Sequence, residues 1–164
     1  MNQHHLHKLA SYNLWANKRI SEYIVNAGEH KADEVIESSF PGIRKTLYHL
    51  WDGQEIWMMR LNGKSANSWP SHHFTGTLAD ATLALVKNSE EYVRFAENIT
   101  VQSAQEVLNY NAMDGSVFSN SLEDVLMHIM NHSTFHRGQL ITMLRITGFT
   151  SVGSTDFIRF IREQ

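Results

Sequence analysis

The sequence has no cysteine and only two prolines in 164 residues. The missing cysteine excludes a disulfide scaffold, a thiolate metal site and a cysteine nucleophile. No window approaches the ~18 consecutive apolar residues of a spanning helix. The start, Met1 to Lys8, lacks the apolar core of a signal peptide. The expectation is a soluble cytoplasmic protein with no membrane partner. Neither sign of charge dominates: 14 Lys+Arg against 17 Asp+Glu leave −3 with histidine neutral. No basic stripe is announced, and no nucleic acid is expected as a partner. A hydrophobic fraction of 42% argues against wholesale disorder. The length fits one domain over residues 1–164. Histidine is what stands out, with ten against five Tyr and four Trp, and it is the side chain best suited to metals and to proton transfer near neutral pH.

Residues 2–27 read as one amphipathic helix, with Leu6, Leu9, Ala16, Ile20 and Ile24 at three/four spacing and Gly28 as its stop. Residues 29–40 read as a linker. Pro41 fits the first turn of a second helix capped by Ser38 or Ser39 and ending near Asn62-Gly63. That helix is apolar around much of its circumference, which predicts heavy burial. Residues 64–76 form a loop, and a third helix covers about 78–98. Asp114-Gly115 between short extended runs predicts a hairpin. Ser121 caps a fourth helix over 122–147, stopped by Gly148, and residues 155–162 read as a short helix or strand. Together these predict an all-α fold, a four-helix bundle with a small β-hairpin before the last long helix.

Leu122, Val125, Leu126, Ile129, Leu140, Met143 and Leu144 define one stripe of the fourth helix. His136 falls near its centre and His132 within it, one turn apart. His128 falls at the margin, roughly 100° from the centre. Two imidazoles on one face can reach one ion, and a third ligand is expected from a facing helix. His49 is the histidine placed inside another helix, between Leu47-Tyr48 and Leu50-Trp51. There a neutral, metal-bound imidazole fits better than a charged one. The bland alternative is a set of hydrogen-bonded core histidines. His4, His5, His7, His30, His72 and His73 are expected to be mostly solvated. Asn13 reads as a core amide, or else as support for a ligand. Asp52 and Glu55 follow His49 on the same helix and could orient it or act as a base, but read rather as solvated or Arg-paired. The Trp and Met residues read as core filling, and Arg137-Gly138 as a packing site where another helix approaches the glycine.

Tyr12 to Asn17, then Thr46 to Leu50 followed by Trp57 and Arg60-Leu61, and above all His132 to Leu140 with its H-x-x-x-H-R-G-Q pattern, resemble the motifs of the DinB family in order along almost the whole chain. The resemblance implies a DinB-like bundle, often a homodimer, with one divalent ion per chain held by His49, His132 and His136. Zinc or nickel suits such a site best, and iron is compatible. Characterised members of the family include thiol-dependent S-transferases and isomerases, so a low-molecular-weight thiol is an expected second cofactor. Two functions compete. One is a metal-dependent enzyme of thiol S-transferase or hydrolase type, using an open position for water or a thiol. The other is a non-catalytic metal or small-ligand binding protein of a stress response. A zincin peptidase is disfavoured, because neither His pair carries the glutamate of H-E-x-x-H. No general base stands out. Unperturbed imidazoles, with pKa ~6.5, predict that metal affinity falls as pH drops into the fives.

Overall fold

The computed structural model describes residues 3–164. Four long helices dominate: α1 (Gln3–Ala27), α3 (Ile43–Leu61), α4 (Leu78–Glu97) and α5 (Leu122–Ile146). They agree with the predicted segments, although the predicted start of α1 at Asn2 lies outside the described residues. The linker is not wholly irregular, because it contains a one-turn helix α2 (Glu29–Ala32). The entry to α3 also differs. The helix starts after Gly42, not at Pro41, and neither Ser38 nor Ser39 caps it. Gly42 sits at φ 95°, where a helix cannot pass through, and a Cβ there would meet Glu34 O at 2.5 Å. Ser38 donates instead to Phe40 O. This break turns Phe40 toward the interior, with consequences for the site.

Thr77 and Asp80 form a reciprocal cap at the start of α4, a device worth about 1 kcal/mol. Strands β1 (Val107–Asn111) and β2 (Val117–Ser121) pair antiparallel around the Asp114-Gly115 turn, as the dipeptide predicts. Ser121 closes β2 and caps α5 by accepting from Asp124 N. The C-terminal segment resolves as helix α6 (Phe157–Arg162). Among the described residues no helix is long and apolar enough to cross a membrane.

Helices α1 and α3 each pack against both α4 and α5, which puts α1 and α3 at opposite corners of the bundle. A small apolar cluster forms where Tyr12 and Ala16 meet Phe160, and the interior has two large ones. One is built around Ile20, Leu47, Leu50, Leu85, Leu140 and Leu144. The other is built around Leu6, Met58, Tyr92, Val125, Leu126 and Ile129. Between them lies a polar layer with a member from each long helix. Arg137 Nη1 donates to Asn13 Oδ1 at 2.6 Å and to Asn17 Oδ1 at 2.8 Å. Asn13 Nδ2 donates to Gln54 Oε1 at 3.0 Å, and Asn17 Nδ2 to Ser89 Oγ at 2.9 Å. Gln54 Nε2 donates to the same Ser89 Oγ at 3.0 Å.

Asn13 is thus a core amide, the reading preferred from sequence. The packing role expected at Arg137-Gly138 falls to the arginine, and the close approach expected at the glycine is not found. Arg137 is 1% exposed in the centre of the bundle, whereas a Cβ on Gly138 would meet nothing within 4 Å. Among the described residues no helix approaches that glycine. The heavy burial predicted for α3 holds on the face that includes Leu47, Leu50, Gln54, Met58 and Leu61, and Ile56 is buried on the opposite side.

Candidate metal centre

Helix phase places three imidazoles at one point. His132 and His136 are a turn apart on α5, and His49 comes from the facing α3. One ring nitrogen from each lies within 4.8 Å of the others. His132 Nε2 is 3.1 Å from His49 Nε2. Ring centroids are 4.5 Å apart for His49 and His136, and 4.4 Å for His132 and His136. A tetrahedral zinc with nitrogen ligands at 2.0–2.1 Å separates those ligands by about 3.3 Å. The closest pair already matches that spacing. The donor set, three nitrogens and no carboxylate, fits a borderline divalent ion.

Three residues orient the rings. His136 Nδ1 donates to Gln139 Oε1 at 2.7 Å, leaving the Nε2 lone pair free. Supporting bonds of this kind fix the tautomer of ligating histidines. Phe40 stacks on His49 at 3.8 Å between centroids and meets His136 edge-on at 5.7 Å. Gly53, one turn beyond His49, leaves room for the His132 ring. A Cβ on Gly53 would lie 2.7 Å from His132 Cε1, so no other residue fits there unless that ring moves.

Burial holds all three imidazoles neutral. It pushes His49 down to about 4, with the neighbouring His136 adding repulsion. It pushes His132 to about 3, helped by repulsion from His136, His49 and His128. His136 is also lowered by burial, against the opposing Gln139 hydrogen bond. Three neutral nitrogen donors near pH 7 are the protonation state that a cation needs.

Two cavities open beside the cluster, and both are lined by His49 and Trp69. One, of about 490 Å³, also takes in Phe40, Tyr48, Asp52 and His72. The other, of about 390 Å³, runs along α3 past Gly53 and His132 to Arg60. Trp69 is therefore a wall of the site, not the core filling expected from composition.

Asp52 was expected to be solvated or Arg-paired and is neither. It is buried, and both of its carboxylate oxygens accept from Ser71, from N at 2.7 Å and from Oγ at 2.6 Å. Burial pushes its carboxyl up, opposed by those two bonds. Its role is to clamp the 70–73 turn, beside Trp69, onto α3. Glu55 accepts from Asn88 Nδ2 at 2.8 Å and also has its carboxyl raised by burial.

His128 is exposed and stays outside the trio, with its ring 5.1 Å from Trp57 and 5.8 Å from His132. His4, His5, His30, His72 and His73 are exposed as expected, although His72 borders the larger cavity. His7 is partly buried and lies 3.3 Å from Glu97 Oε1. Sequence reasoning missed Phe40, Gly53, Trp69 and the role of Gln139. Only Gln139, three residues after His136 on the same face, carried a readable signal.

The chain is 25% identical over 157 residues to Protein DinB of Bacillus subtilis (strain 168), an alignment covering 92% of this chain and 90% of that protein. The family model described as DinB family matches residues 1–164. That match takes in all four long helices, the hairpin and the three converging histidines, and the chain belongs to the DinB family.

Proposed function

We propose that this chain is a metal-dependent enzyme whose single divalent ion is held by His49, His132 and His136. Zinc or nickel is the ion that suits it best, and iron comes next. The observation that supports this reading is the convergence of three neutral ring nitrogens within 4.8 Å. When bound, such an ion supplies Lewis acidity and activates a water or a thiol at neutral pH. The protein's own contribution is positional. Gln139 fixes the His136 tautomer, Phe40 and Gly53 set the other two rings, and Trp69 limits access of water. Thiol S-transfer and hydrolysis are the reaction types that match an open position facing a cavity.

A non-catalytic binding role is the competing reading. It is favoured by the lack of a free carboxylate at the centre, since both oxygens of Asp52 are committed to Ser71. Turnover separates the two. Zinc- or nickel-loaded protein, given panels of thiol acceptors and of ester and amide substrates, is expected to show activity that His49→Ala abolishes. Full metal loading with no turnover on either panel favours the binding role.

The proposal extends to a homodimer. The outer face of α5 presents Phe135 at 64% and Ile146 at 63% exposure, with Gly138 open between them. Exposed apolar side chains on one face of a long helix suit a closed two-fold pairing. Light scattering is expected to give twice the chain mass at micromolar concentration, and Phe135→Glu is expected to return it to the chain mass. A wild-type monomer defeats this part.

A further inference from the structure

Arg60 lies at the far end of the 390 Å³ cavity from the imidazoles. Residues 49, 53, 57 and 60 of α3 recur at four, four and three, so they share one helix face. The Arg60 guanidinium carbon sits 4.5 Å from the Trp57 ring centroid and 5.0 Å from that of Tyr110. Contact with ring faces leaves the in-plane N–H groups of a guanidinium free. None of the five is used: among the described residues Arg60 has no hydrogen-bond acceptor and no ion pair, and its Nε is buried without a partner. The acidic residue on the same cavity wall is Asp114, and its Oδ1 accepts from Ser116 N inside the hairpin turn. A cation partly withdrawn from water and paired with no carboxylate is a cost that a bound anion relieves.

The position of that charge sets the shape of the ligand. The guanidinium folds back to the level of Trp57, about 12 Å along the helix axis from His49 and about 6 Å from Gly53, where His132 packs. Ile56, Trp57, Trp69 and Met113 line the space between. We infer that this cavity seats an elongated organic anion, with a carboxylate or phosphate group on the Arg60 fork, an apolar middle against the Trp walls, and its other end at the imidazole cluster. The inference builds on the metal-centre reading only for that last contact, and it makes Arg60 a determinant of substrate choice.

The test separates the two ends. Hexanoate and hexyl phosphate are titrated into metal-free protein by calorimetry, with hexanol as the uncharged control. At least one anion is expected to bind tenfold or more tightly than hexanol, and the tighter of the two identifies the oxyanion. Arg60→Gln is expected to weaken that binding at least tenfold. Arg60→Lys, which keeps the charge and loses the fork, is expected to weaken it about threefold, and it serves as the variant should the glutamine form fail to fold. With zinc-loaded protein, 6-mercaptohexanoate is expected to bind at least tenfold more tightly than either hexanoate or 6-mercaptohexanol. Anions that bind no better than hexanol, or that bind wild type and Arg60 variants alike, overturn the inference whatever zinc does. Arg60-dependent binding that zinc and the thiol do not strengthen leaves Arg60 as the anion site and counts against the metal centre instead.

Discussion

His136→Ala is expected to lower zinc affinity by at least ~100-fold, the upper end of what loss of a mere supporting contact costs. His49→Ala and His132→Ala are expected to match it, because each removes one of three convergent nitrogens. His128→Ala is expected to change affinity less than about threefold, since its ring lies toward Trp57 and outside the trio. Gly53→Ala keeps every nitrogen, yet it is expected to cost about tenfold by displacing the His132 ring. Competitive zinc titration of the five variants checks the series. Equal losses for His128 and the other three would remove the helical phasing on which the site rests.

The same centre carries a pH signature. His49 and His132 titrate near 4 and 3 in the folded chain, against ~6.5 when unfolded. In metal-free protein the unfolded state therefore takes up protons first. Stability is fully present above pH ~6.5 and is lost as pH falls toward 4 and 3. On His49 and His132 of the folded chain, protons compete with the ion only near those lower values, and burial lowers His136 as well. The rise in melting temperature caused by zinc is thus expected to persist from pH 7 to about 5 and to shrink below that. Unperturbed imidazoles would have placed the loss in the fives, and desolvation moves it acidward. A rise that vanishes by pH 5.5 would show that the rings are more open to water than this packing allows.

Arg137→Ala is expected to destabilise the protein by about 3–5 kcal/mol, measured by denaturant unfolding. The substitution leaves a void between the two large apolar clusters. It also strips Asn13 Oδ1 and Asn17 Oδ1 of their shared donor. Arg137→Met refills the volume but leaves the same two oxygens bare, so it is expected to lose about 1–3 kcal/mol. If alanine costs under 1 kcal/mol, the guanidinium is being replaced by water and the layer is wetter than its 1% exposure indicates.

The legible parts of this molecule are those that repeat. Three/four spacing exposed the four helices, and the phase of Leu126, Ile129, Leu140 and Leu144 separated His132 and His136 from His128. His49 stood out as an imidazole within an apolar helix. What escaped depends on chain reversals that have no period. Phe40 reaches His49 because Gly42 breaks the helix start, and Trp69 arrives on a loop clamped through Ser71 to Asp52. Gly53 looks like an ordinary helical glycine until the partner helix supplies the ring that occupies its missing side chain. At Arg137-Gly138 the close approach was placed on the glycine, whereas it is the arginine that is buried. Nothing along α5 itself reveals that two asparagines from α1 wait for it.

The imidazoles stand on long helices, whereas much of the cavity lining comes from the 64–76 loop and the hairpin turn at Ala112, Met113 and Asp114. In the proposed enzyme the ligating nitrogens thus stand on helices, while selectivity is shared between Arg60 on α3 and these two loops. Loops can be lengthened, shortened or exchanged without shifting the helices that aim the nitrogens. Grafting the two loops from a relative with a known substrate is therefore a route to transplanting its specificity, and random libraries confined to these two segments would sample new substrates on an unchanged reactive frame.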